Sequence, residues 1–293
     1  MISIILILLF VFSVLSVPVC HGVISGLYLY GMKIFPGLFI SFILTNILVR
    51  ILQQKNINNP WILVITGLMT GFPNGAYICS WYNKNNPENR LGDMLAGIIN
   101  IPSPAFLISY VYINILEKCI SLPMFLALTY TPVILCSYMA ILFFRDKDNK
   151  KDNAPHIKND KKLIFHFFEE AVDSSINTAL TLGAYVIIFS VIVNIIMHFS
   201  QSNTAGLLIS YLFEISNGLA IIKNAGIPMN TTVLLTVLLD AFGGVCIIMQ
   251  TKSICSSYIS IKKYIYQKLV LCIVTLAMTY LLIYVLNLSL IHI

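Results

Sequence analysis

Charge is what this chain is short of. Only 10% of its 293 residues are Asp, Glu, Lys or Arg, against about 25% in a typical soluble domain. Hydrophobic residues make up 58% and the mean hydropathy is +0.87. That balance excludes an ordinary soluble domain and points to an all-α polytopic membrane protein. The spacings that carry metal and redox chemistry are missing too. Seven cysteines (20, 79, 119, 136, 246, 255, 272) form no Cys-x-x-Cys pair, and five histidines form no His-x-x-x-His pair. The thiols therefore read as small buried hydrophobes, and neither a metal site nor a cofactor is expected. There is no Gly-x-Ser-x-Gly elbow and no phosphate-binding loop. Asp240 has no Gly-x-Gly before it and Asp93 has no neighbouring tyrosine, so an intramembrane aspartyl protease finds no support. No enzyme activity is expected.

The charge that is present is concentrated. Seven of the 18 Lys and Arg fall within residues 145–162, a polar segment that divides the chain almost in half. No aromatics are interleaved with them, so the net charge of +6 implies a cytoplasmic loop rather than a nucleic-acid surface. Uninterrupted apolar runs at 2–19, 34–49, 119–144, 178–199 and 269–288 read as spanning helices. The first reads as an uncleaved membrane helix, because no basic residue precedes it and Val17-Pro18-Val19 is a poor cleavage site; a cleaved leader stays open. Residues 163–176 carry Leu163, Ile164, Phe167 and Phe168 against Glu169, Glu170 and Asp173. They fit either an interfacial helix or the wet start of the next span.

Four further apolar runs are interrupted. Residues 61–80 hold Gly71-Phe72-Pro73-Asn74-Gly75 at their centre, which predicts a hairpin of two half-helices. Residues 91–116 are cut by Asn100-Ile101-Pro102-Ser103-Pro104. Residues 204–222 contain Glu214, Ser216, Asn217 and Gly218, and residues 231–249 contain Asp240, Gly243 and Gly244, with Gln250 following. Lipid cannot satisfy a broken backbone, so such segments persist only inside protein or around a wet cavity. Interruptions paired between two halves point to a transporter-type site at the bilayer midplane. Asp93 and Asp240 lie 147 positions apart (240 − 93), and the same offset joins Gly97 to Gly244 and Gly71 to Gly218. The expected fold is two inverted repeats, each with a re-entrant hairpin and a discontinuous helix. The divisions are 1–22 (first membrane helix), 23–144 (first repeat), 145–165 (basic loop) and 166–293 (second repeat).

The interruptions also resemble a known family. Thr70-Gly71-Phe72-Pro73-Asn74-Gly75-Ala76 resembles a Ser/Thr-Gly-aromatic-Pro-x-Gly-Ala element, and Asn100-Ile101-Pro102-Ser103-Pro104-Ala105-Phe106 is similar to an Asn-x-x-Asn-Pro-x-Phe element. Glu214-Ile215-Ser216-Asn217-Gly218 resembles Glu-aliphatic-Ser/Thr-x-Gly, and residues 243–250 resemble Ser-Gly-x-Ser-Val-x-x-Gln with Gly243 and Cys246 in place of both serines. These are the elements of the nucleoside-recognition or gate-domain membrane proteins, of the YlbJ-type sporulation group. The resemblance implies a multi-pass protein of a bacterial cell membrane, mother-cell or forespore, needed in spore cortex formation.

The expected function is a transporter or channel component for a small polar solute. Its site would draw on Thr70, Gly71, Pro73, Asn74, Asn100, Ser103, Glu214, Ser216, Asn217, Asp240, Gly244 and Gln250. Glu214 and Asp240 would carry protons or hold a cation, because intramembrane acids are costly unless used. Asn74, Asn100 and Gln250 would orient the solute. The expected partners are the lipid bilayer, the solute and a coupling ion or proton, with no nucleic acid; an oligomer stays open. The alternative is a non-transporting scaffold that recruits cortex-assembly proteins through its basic loop. One expectation is directly testable: a topology reporter fused at Asn153 should be active on the cytoplasmic side, and activity outside would reverse the orientation of both halves.

Overall fold

The computed structural model describes residues 6, 10, 12–55, 59–86, 90–145, 161–200, 204–255 and 258–285. Residues 146–160 of the basic loop therefore lie outside the described residues, as do residues 2–5, 7–9 and 11 of the first apolar run. Of the described residues, 89% are helical. Among the described residues there is no strand, and five helical stretches are long and apolar enough to cross a membrane, or six with one bent pair. Ile40, Ile65, Phe143, Leu180, Phe199 and Ile273 all face outward. Outward-facing side chains of this kind match a hydrocarbon surround, not water. The chain is an all-α, multi-pass membrane protein.

Helix α1 (Ser16–Tyr28) runs on through a π-helical stretch, Leu29–Ile34, into α2 (Phe35–Lys55). No break falls at residue 22 or 23, where the sequence suggested a division. The pair bends by 61° instead. Pro36 and the π-helical turns before it account for the bend, since both disrupt the i→i−4 ladder. Helices α3 (Pro60–Thr70) and α4 (Asn74–Asn85) are short and pack on each other. Helix α5 (Leu91–Ile99) is separated by residues 100–103 from α6 (Pro104–Phe106), which continues π-helically over Leu107–Ile115. Helix α7 spans Leu122–Arg145. Pro123 sits at its start, where a missing N–H is harmless, and Pro132 lies within it.

Helix α8 covers Lys161–Ser200, 40 residues. At 1.5 Å per residue it is about 60 Å long, twice the hydrocarbon thickness. The stretch 163–176 is thus the beginning of this helix and no separate interfacial element; nothing in it breaks a helix. Both arms of the bent pair lie against α8. Asn46 donates to Ser175 Oγ at 3.0 Å, and Asn194 donates to Ser25 Oγ at 3.3 Å. Two short helices follow, α9 (Thr204–Phe213) and α10 (Ile215–Asn224), with Glu214 extended between them. Then come α11 (Met229–Phe242) and α12 (Gly244–Cys255), and α13 (Ile261–Tyr280) closes the fold.

One buried apolar cluster joins α2, α6, α7 and α10 through Phe42, Phe72, Phe106, Phe125 and Leu219. A second lies under α3, α4, α5 and α13 and includes Leu63, Ile78, Leu95, Ile99, Tyr264 and Leu271.

The interruptions have local causes. Gly71 takes φ 72°, ψ −175°, a region essentially closed to other residues. A Cβ there would come within 2.7 Å of Ser103 Cα. The close approach lets the Phe72 amide donate to the Ile101 carbonyl at 2.9 Å, so the two breaks of this half satisfy each other. Gly243 and Gly244 both have positive φ, at 82° and 84°. A Cβ on Gly244 would lie 3.2 Å from the Phe213 carbonyl and 3.4 Å from the Ile215 amide. The α11/α12 break therefore touches the α9/α10 break. Gly71→Ala should lower stability by about 1–3 kcal/mol or more from backbone strain and crowding. Gly31→Ala, where nothing lies within 4 Å of the new methyl, should be neutral. Thermal unfolding of both variants in detergent checks the contrast, and equal melting temperatures would remove the steric account.

Candidate functional site

A narrow, partly enclosed cleft lies where the interruptions meet. Its polar lining comes from two of the four interrupted runs, through Ser103, Glu214 and Ser216, and from Gln250 just past the fourth. Phe72, Phe106, Ile215 and Ile247 supply apolar floor, and Tyr30, Ile34, Leu38, Leu182 and Val186 close the outer wall. A mainly apolar cleft with a few convergent polar groups is the usual form of a small-molecule site.

Helix starts surround it. Ser103 caps α6, its hydroxyl accepting from the Phe106 amide at 3.3 Å. Glu214 caps α10, its Oε2 accepting from the Asn217 amide at 2.7 Å. Phe72 stands two residues before α4. Helix N-termini carry about half a positive charge each. The buried Glu214 carboxylate therefore sits in a field that stabilises it, and it occupies the position an anionic ligand would seek. Tyr110 reaches the same turn and donates to the Ser216 carbonyl at 3.2 Å. Gln250 donates weakly to Cys246 Sγ at 3.1 Å, while its Oε1 is buried with no hydrogen-bond partner. An unmet buried acceptor costs about 1–3 kcal/mol, which a donor on a bound solute would recover.

The other expected site residues do not line the cleft. Thr70 bonds back to the Thr66 carbonyl, Gly71 and Pro73 form the chain break, and Gly244 begins α12. Asn74 donates to Thr45 at 3.4 Å, and Asn217 to Ser190 at 3.3 Å. Asn100 is committed to the scaffold. Its Oδ1 accepts from the Ala76 amide at 3.2 Å, and its Nδ2 donates to Tyr264 Oη at 2.8 Å and Thr251 Oγ1 at 3.3 Å. Both polar atoms of the Asn100 side chain are thus engaged by the framework, and the Asn74 amide nitrogen reaches Thr45.

Asp240 stands apart from the cleft on α11, within electrostatic reach of Tyr130 and Tyr211. Both its carboxyl oxygens are buried without a hydrogen bond. Asp93 is a structural tie. It accepts from the Ser260 amide at 3.0 Å and pairs with Lys263 and Arg90, each at 3.3 Å. Asp93 lies in the first turn of its helix and Asp240 near the end of its own.

The group that sequence reasoning missed is Lys268. It is fully buried on α13, and its ammonium donates to the Asn100 carbonyl at 2.5 Å and the Ala241 carbonyl at 2.9 Å. The expected last span began one residue after it.

No family model, no curated protein and no solved structure matches the chain. The assignment of roles rests on the geometry. If Asn100 is framework and Gln250 faces a ligand, their replacements should part company. Asn100→Ala, leaving the Ala76 amide without its acceptor and the Tyr264 and Thr251 hydroxyls each one partner short, should cost at least about 2 kcal/mol. Gln250→Leu, losing only a bond to sulfur, should stay within about 1 kcal/mol of the parent. Melting temperatures in detergent measure both, and the reverse order would exchange the two roles.

Proposed function

We propose that this chain is a membrane carrier or channel component for a small, uncharged polar solute bound in the cleft between the interrupted helices. The observation that carries the proposal is convergence. Breaks from both halves of the chain, 71–73 with 100–103 and 213–215 with 243–244, contact each other pairwise, and residues from both sets line one cleft. Irregular backbone is tolerated at membrane depth only in such a setting.

In this reading the fold is an inverted repeat. A long helix, two short helices, an interrupted helix and a long helix follow one another as α2–α7 and again as α8–α13. Pairing the breaks gives an offset of 142, since Phe72 meets Glu214 and Ile101 meets Gly243. That register replaces the 147 suggested by matching residue types. With α3/α4 and α9/α10 as re-entrant hairpins, each repeat crosses the membrane three times. An odd number of crossings turns the second repeat upside down relative to the first.

The solute's chemistry follows from the lining. Glu214 already fills the favourable anion position, and among the described residues no cation lines the cleft. An uncharged solute with hydroxyl or amide groups would donate to Gln250 Oε1 and pair with Ser103 and Ser216, against the faces of Phe72 and Phe106. The resemblance in the interruption motifs adds the setting, the mother-cell or forespore membrane of a sporulating bacterium.

Uptake of a panel of uncharged polar solutes by liposomes containing the purified protein tests the proposal. Glu214→Gln retains a side-chain oxygen to accept from the Asn217 amide, so the protein should still accumulate in the membrane, yet solute movement should be lost. If Glu214→Gln and Asp240→Asn both keep full function while removal of residues 146–160 destroys it, the carrier fails and a loop-based scaffold takes its place.

A further inference from the structure

We infer that the Lys268 ammonium occupies a monovalent-cation site built from the carbonyl ends of the two interrupted helices, and that shortening this side chain opens the site to a free monovalent cation. Its consequence for transport rests on the carrier reading; its consequence for binding does not.

The geometry is that of a cation bound by backbone. Helix α5 ends at Ile99 and α11 ends at Phe242. Each ending leaves its last carbonyls without intrahelical partners. One carbonyl from each, Asn100 and Ala241, points at the same nitrogen, at 2.5 and 2.9 Å. The C-terminus of a helix carries about half a negative charge, so two such ends balance one unit of positive charge. The Tyr264 ring lies 5.9 Å from the ammonium, a further favourable contact for a cation.

No carboxylate supplies that balance instead. Asp93, the acid on α5, is engaged by Ser260, Lys263 and Arg90. Asp240 immediately precedes Ala241, yet neither of its oxygens has a hydrogen-bond partner. The remaining titratable neighbours are Tyr264, whose hydroxyl accepts from Asn100, and Cys272, whose thiol faces the Leu238 carbonyl at 4.0 Å. A buried ammonium held by two carbonyls and an aromatic face has the ligand set a bound alkali or ammonium ion would choose. The side chain keeps that ion permanently attached, so the solute would move without a bound sodium or potassium ion.

The experiment uses the full-length protein in detergent, with N-methylglucamine holding ionic strength constant. The melting temperature of the wild type should not respond specifically to sodium, potassium or methylammonium. Lys268→Ala should melt roughly 5–10 °C lower, since two buried carbonyls lose their cation. Methylammonium, the detached head of the missing side chain, should restore at least half of that loss saturably, and potassium should act in the same direction. Absence of any ion-specific recovery overturns the inference. Should Lys268→Ala fail to accumulate, Lys268→Met decides. It keeps the length without the charge, so loss of stability supports the site and a wild-type melting temperature refutes it. In liposomes the two proposals fail differently. No uptake under any ionic condition sinks the carrier, whereas wild-type uptake that requires sodium or potassium sinks only the filled cation site.

Discussion

A helix that stops inside a membrane exposes polar backbone where nothing outside the protein can bind it. The rest of this structure depends on how that demand is met. Four helical runs stop and restart, at 71–73, 100–103, 214 and 243. Part of the demand is met by bringing breaks together, as Phe72 does with Ile101. The remainder falls to a small number of side chains. Glu214 accepts from the amide end of α10, and Lys268 donates to the carbonyl ends of α5 and α11. An anion at a helix start and a cation at two helix ends are the arrangements that helix dipoles favour. The result is an acid and a base each held by backbone groups rather than by a side chain of opposite sign.

This division gives the molecule two unlike sides. The carbonyl side is cross-tied by polar bonds. Asn100 links α4, α12 and α13 through Ala76, Thr251 and Tyr264, while Gln267 donates to the Asp93 carbonyl and accepts from the Gly97 amide. The cleft side has aromatic walls, one glutamate and an unsatisfied carboxamide oxygen. The satisfied bonds of Asn100 and Gln267 rigidify the carbonyl side, whereas the open Gln250 acceptor faces the cleft. Scaffold and candidate site are thus separated along the same broken helices, one at the carbonyl ends and the other at the amide ends.

The breaks themselves were legible in sequence because Gly, Pro and Asn stand out against an apolar background. The all-α membrane class was legible from charge deficit alone. Roles were harder to read. Asn100 and Gln250 look equivalent in a hydrophobic run, yet one is spent on Tyr264, 164 positions away, and such partners leave no local signal. Lys268 was missed for a related reason. The apolar run 269–288 begins one residue after Lys268, which puts that residue at the rim of the span. Tyr264, Gln267, Lys268, Leu271, Thr275 and Thr279 in fact form one buried face at helical spacing. The pattern was present; only its polarity was inside out.

The outer wall of the cleft suggests where movement would be least resisted. It is formed by the bent α1–α2 pair against α8, and it includes the π-helical stretch that carries Tyr30 and Ile34. Among the described residues its polar links to α8 include Tyr30 to the Ala179 carbonyl, Asn46 with Ser175 and Ser174, and Ser25 with Asn194. The opposite side of the site is fixed by Glu214, Asn100 and Lys268, whose bonds cannot break without leaving charge or backbone unsatisfied in a medium that offers no replacement. Displacing the wall exchanges apolar contacts for lipid contacts of similar strength, since lipid tails are as apolar as the side chains they would meet. The energetics therefore assign rigidity to the broken helices and mobility to the unbroken pair that covers them.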